Sequence, residues 1–124
     1  MHYYSHTDIN LKTTFKDALL ASLANDGGLW MPSVIPSFTD SELINLAAMN
    51  FSDCAAYLSK YFVGDQVNSK TLTKICHDAY DFEFPIKTIL GDKQNPSVTS
   101  NNQDYILELF HGPTLAFKDF AARF

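Results

Sequence analysis

The apolar positions of this chain follow one pattern up to about residue 80 and another beyond it. In the first stretch they recur at helical spacing. Phe15, Ala18, Leu19, Ser22 and Leu23 form one face of a helix opened by Thr14-Phe15-Lys16-Asp17, with the aspartate returning to the capping threonine, and its end is expected at Gly27-Gly28. Thr39-Asp40-Ser41-Glu42 is a second capping box, for a short helix through Ala47 or Ala48 with Leu43, Leu46 and Ala47 as its buried side. The strongest stripe, Cys54, Tyr57, Leu58, Tyr61 and Phe62, predicts a third helix closed by Gly64. Asn68 or Ser69 caps a fourth, whose face is Leu72, Ile75, Cys76 and Ala79. Residues 2–4 read as a short strand, and Leu29-Trp30-Met31-Pro32 as an extended segment broken by Pro32 and Pro36.

After Phe84-Pro85 the helical period is lost. Residues 86–90 are strand-like, and 91–104 form a polar loop without periodicity, so a domain seam is expected here. Tyr105-Ile106-Leu107-Glu108-Leu109-Phe110 is mostly apolar, as in a strand buried on both faces. His111-Gly112-Pro113-Thr114 then reads as a turn ending in a capping residue, and 115–124 as the opening of a helix. The expected fold is α+β and mainly helical. A helical N-terminal domain with short strands covers 1–85, and the first strand and helix of an α/β domain cover 86–124. A buried strand and an unfinished apolar helix need a sheet and further helices to cover them, so the rest of that domain is expected downstream.

A length of 124 residues, 46% of them hydrophobic and 19% charged, suits a folded domain rather than a disordered tail. The net charge of -5 and the lack of clustered Lys and Arg argue against nucleic acid as a partner. The first six residues lack the basic and apolar regions of a signal peptide, and no run approaches the roughly 18 apolar residues of a membrane span, so a cytoplasmic protein is expected. Cys54 and Cys76 are too few for a disulfide framework and read as small core residues. His2, His6 and His77 have no partners at metal-ligand spacing, and no metal site is expected. No Gly-x-Ser-x-Gly, Walker loop or dinucleotide fingerprint is present.

One dense run of special residues remains, from Glu108 to Phe120. It sets a strand end, a turn, a capping hydroxyl and Lys118 in close succession. Backbone dipoles at a helix start, together with apolar neighbours such as Phe117 and Phe120, favour the neutral amine that can attack an aldehyde. The same helix N-terminus can help to hold an anion. The plain alternative is that Thr114 only caps, Gly112-Pro113 only turns, and Lys118 is a solvated lysine beside Asp119.

His111-Gly112-Pro113-Thr114-Leu115-Ala116-Phe117-Lys118-Asp119 resembles the cofactor-lysine motif of bacterial and fungal threonine synthases, His-Gly-Pro-Thr-x-Ala-Phe-Lys-Asp, at all eight fixed positions. Gly27-Gly28-Leu29-Trp30-Met31-Pro32, Phe62-Val63-Gly64-Asp65 and Glu108-Leu109-Phe110 stand in the order expected of that family's N-terminal region, so the resemblance covers essentially the whole chain. It implies that Lys118 holds pyridoxal 5′-phosphate covalently and then moves protons while O-phosphohomoserine and water become threonine and phosphate. It further suggests Phe117 as a contact of the cofactor and His111 and Thr114 as contacts of the substrate. The structural alternatives for those three are an apolar helix contact, a turn histidine and a cap.

A glycine-rich loop for the cofactor phosphate and a polar partner for the pyridine nitrogen are not found before Phe124. The chain is therefore expected to be an N-terminal portion of such an enzyme, inactive alone and prone to self-association through Leu107, Leu109, Phe117, Phe120 and Phe124. Two other readings stand beside this one. The chain is a self-contained helical interaction module with a chance motif, or it belongs to another pyridoxal-phosphate lyase or dehydratase of the same fold.

Overall fold

The computed structural model describes residues 1–88 and 104–124, which form two compact units, Met1–Asp78 and Ala79–Phe124. The fold is α+β. The expected loop over 91–104 lies, Asp104 apart, outside the described residues, as does the end of the strand expected to reach Leu90.

In the first unit, β1 (Tyr3–Ser5) is the middle strand of an antiparallel sheet, flanked by β2 (Lys12–Thr13) and β3 (Trp30–Pro32). Tyr3 pairs with Thr13 on one side and with Pro32 on the other. Its ring lies 6.0 Å from that of Phe15, and its hydroxyl donates to the Phe62 carbonyl at 3.0 Å. One side chain thus ties the sheet to two helices, and burial pushes its own hydroxyl pKa up.

Four helices follow the sequence pattern, with differences at their ends and faces. α1 (Phe15–Ala21) starts at Thr14, whose Oγ1 accepts the Asp17 amide as expected. It stops a turn short of Gly27, because Ser22 takes a positive φ of 63° and the chain turns through a buried Ala24 into β3. α2 (Asp40–Ala47) has the full capping box: the Thr39 amide donates to Glu42 Oε2 at 2.7 Å, and the Glu42 amide donates to Thr39 Oγ1. The buried side expected of it is realised only at Leu46, which is half-buried, whereas Leu43 and Ala47 are exposed.

α3 (Phe51–Val63) is capped by Asn50, whose side-chain oxygen accepts the Asp53 amide, and ends at Gly64, where a short 3-10 turn follows. α4 (Ser69–Ala79) begins beside Asn68, which accepts the Lys70 amide at 2.9 Å. Its expected face is realised: Leu72, Cys76 and Ala79 are buried, and Ile75 is half-buried. Cys54 and Cys76 are both free thiols, Cys76 fully buried and its pKa raised for that reason. His77 Nε2 lies 2.7 Å from Asp53 Oδ1 and links the two helices.

In the second unit, β4 (Ile86–Thr88) and β5 (Tyr105–Leu107) pair antiparallel, Lys87 opposite Ile106. β5 is shorter than the apolar run suggests, and its side chains are exposed by 50–60% instead of buried on both faces. An all-apolar run marks a strand with two covered faces only where neighbours exist to cover them. The core of this unit is aromatic. Phe82 and Phe84 meet Phe120 edge-on at 5.3 and 5.8 Å, and the Tyr80 hydroxyl donates to the Phe120 carbonyl at 2.9 Å. Arg123 pairs with Asp81 and stands over the Phe82 ring, raising its own pKa and lowering that of the carboxyl.

Candidate functional site

The residues singled out from the sequence lie on the turn between β5 and α5 (Asp119–Ala122). The helix expected from residue 115 is delayed. Leu115 adopts a left-handed φ of 57°, a conformation that costs a non-glycine residue about 1 kcal/mol. Its amide donates to the Gly112 carbonyl at 2.9 Å, closing a tight turn. Lys118 consequently sits at the N-cap of a four-residue helix, not inside a long one.

Thr114 does not cap that helix. The relation is reversed: the Thr114 amide and hydroxyl both donate to the carboxylate of Asp119, at 2.9 and 2.7 Å. Asp119 is 3% exposed. His111 turns the other way, its Nε2 2.7 Å from Glu108 Oε2 and its ring stacked 4.6 Å from Phe110.

The Lys118 side chain is exposed, and its amine has no ion pair among the described residues. With Leu109, Phe117, Phe120, Ala121 and Ala122 it lines an open apolar depression of about 480 Å³. A primary amine at the rim of an apolar hollow with two aromatic rings suits a flat aromatic aldehyde, which needs one covalent anchor and an apolar face. Phe117 and Phe120 do not shield the amine in the way expected, since Phe117 is itself 66% exposed. Lys118 and Phe117 share the depression, whereas His111 and Thr114 are not among its lining residues.

Two contributors escaped the sequence reading. Asp119 looked like a neighbour of the lysine on a helix surface, and Glu108 like part of a strand. The available signal was a carboxylate five residues after a Gly-Pro-Thr turn, within reach of its amides.

A depression of similar size in the first unit, lined by Tyr3, Phe15, Leu19, Trp30 and Met31 among others, presents no amine. Among the described residues no group of three or more His, Cys, Asp and Glu side chains is placed to hold a metal ion. No described helix is long and apolar enough to cross a membrane.

The first unit is a small α+β domain, and in the second Lys118 follows the turn after β5, at the start of α5. The family described as threonine synthase N terminus matches residues 2–80, and the chain belongs to that family. It is 36% identical over 121 residues to the threonine synthase of Pseudomonas aeruginosa, covering 98% of this chain and 24% of that protein. The Escherichia coli threonine synthase structure superposes with a TM-score of 0.83 at 31% identity, over 97% of this chain and 26% of the other. That of a threonine synthase from Brucella melitensis, solved with pyridoxal phosphate bound, gives 0.79 at 33%, over 96% and 24%. The chain spans about a quarter of the length of the curated relatives it matches.

Proposed function

We propose that the protein carrying this chain is a cytoplasmic threonine synthase that converts O-phospho-L-homoserine and water into L-threonine and phosphate, with Lys118 as the residue that holds pyridoxal 5′-phosphate. The observation that carries this reading is the Lys118 amine, without an ion pair among the described residues, at the rim of an apolar hollow in a chain of the threonine synthase family. Pyridoxal phosphate, when bound, supplies an electron sink for negative charge at the substrate's α and β carbons.

The chain's own residues have distinct tasks. Lys118 would anchor the cofactor and, as a free amine, would carry protons at those carbons. Phe117 offers the ring an aromatic face. His111, steadied by Glu108 and Phe110, and Thr114, steadied by Asp119, orient the substrate. The exposed Leu107, Phe117 and Phe124 support self-association of the chain when nothing else covers them, which sedimentation at rising concentration would detect.

Incubation of the protein with pyridoxal phosphate should produce a visible absorption band that Lys118→Ala abolishes. Phosphate release from O-phosphohomoserine should fall by about a thousandfold or more in the same variant, as when a covalent catalyst is removed. A band that survives the substitution contradicts the assignment of Lys118. A band lost without any phosphohomoserine turnover in the unmutated protein leaves a cofactor protein of different reaction.

A further inference from the structure

Among the described residues Asp119 is the one charged side chain that is buried, and the reading above has its carboxylate only steady Thr114. Both of its hydrogen bonds come from Thr114, one from the backbone and one from the hydroxyl. A Cβ on Gly112 would lie 2.3 Å from Asp119 Oδ2 and 2.8 Å from its Cβ, so only glycine lets the turn close on the carboxylate. Between these points Leu115 is held in its unfavourable left-handed conformation. Residues 112–119 therefore form a closed loop fastened at its base by one side chain. On the far side of Lys118, Phe120 is fixed by Phe82, Phe84 and Tyr80. The backbone is pinned on both sides of the lysine, whose side chain is exposed.

We propose that Asp119 is a positioning residue for Lys118: its buried carboxylate ties the 112–114 turn to the root of the lysine and so sets where the amine stands at the apolar depression. The proposal rests on Lys118 being the cofactor lysine. A strained loop persists only where its surroundings over-determine it, and here the carboxylate supplies that constraint. An amine displaced by about 1 Å from its productive place loses rate steeply.

The test is competitive labelling of the protein. Limiting pyridoxal phosphate followed by borohydride reduction and peptide mass spectrometry gives the yield at Lys118 relative to Lys70, an exposed lysine on α4. The unmutated protein should favour Lys118 by about tenfold, and Asp119→Ala should remove most of that preference. Asp119→Asn can accept the Thr114 amide proton and donate to the Thr114 hydroxyl oxygen, so it should keep the preference within about twofold. Hydrogen exchange at the Thr114 amide should quicken in Asp119→Ala and not in Asp119→Asn.

If Asp119→Ala does not fold, Thr114→Val removes one of the two hydrogen bonds with little change of shape and should lower the preference about threefold. A preference for Lys118 that survives Asp119→Ala, or Thr114→Val where the first variant does not fold, overturns the proposal while leaving the cofactor lysine in place. Equal labelling of Lys118 and Lys70 in the unmutated protein overturns the cofactor lysine itself, and the positioning role falls with it.

Discussion

Each unit of the chain contains an aspartate that closes a turn onto a glycine, and the two differ in what they hold. In the first unit Asp26 accepts the Ser5 hydroxyl at 2.8 Å, the Thr7 hydroxyl at 2.6 Å and the Gly28 amide at 2.9 Å. Ser5 is fully buried, and a Cβ on Gly28 would fall 2.1 Å from its oxygen. This knot joins the end of β1 to the turn before β3, about twenty residues apart, and so acts on the fold. In the second unit Asp119 reaches back only five residues and acts on the placement of one side chain, Lys118. The same chemistry serves architecture where its partners are distant in sequence, and a site where they are adjacent to a reactive group.

The glycines break this comparison most sharply. Gly28→Ala drives a methyl group into a buried serine and should cost about 3 kcal/mol of stability in denaturant unfolding, the upper range for overpacking. Gly112→Ala meets Asp119 at its Cβ as well as at its carboxylate oxygen, so it should cost a similar amount while also lowering the labelling of Lys118 about tenfold. Equal stability losses without any change at Lys118 would make the second turn merely another structural knot.

Ser5→Ala should have a smaller effect, about 1 kcal/mol, because it removes one hydrogen bond and opens little space. The smallest effect is that of acid. The Thr7 hydroxyl, the Gly28 amide and the Ser5 hydroxyl hold the Asp26 carboxyl below the usual carboxylate range. A carboxyl lowered in the folded state adds stability above its unfolded pKa, and that stability is lost as pH falls through the folded value. Acid titration of the first unit should therefore show a loss confined below the usual carboxylate range, diminished in Thr7→Val. A transition at neutral pH would assign the acid response to another group.

Much of the helical unit was legible in the sequence because its signals are local. Thr14, Thr39 and Asn68 cap the helices expected of them, and the Leu72, Cys76 and Ala79 face of α4 is buried as its period predicts. Long-range effects were harder to read. α1 ends at Ser22 because the chain must turn back to pair β3 with β1, which glycine spacing alone does not reveal. Leu43 and Ala47 carry a helical period yet remain exposed, since periodicity marks a face without saying what covers it.

That Lys118 follows a turn near a helix start was readable, but where the helix begins and the geometry around the lysine were not. Leu115 lacks the residue type that usually marks a left-handed turn, and a capping threonine and a donor to a later aspartate look alike in one dimension.

A crystal structure of the protein grown with pyridoxal phosphate tests the central claim most directly. Continuous density from Lys118 Nζ to the cofactor, with Asp119 still bonded to Thr114, is the predicted result. Cofactor attached to another lysine, or held without any covalent link while Lys118 points into solvent, would contradict it.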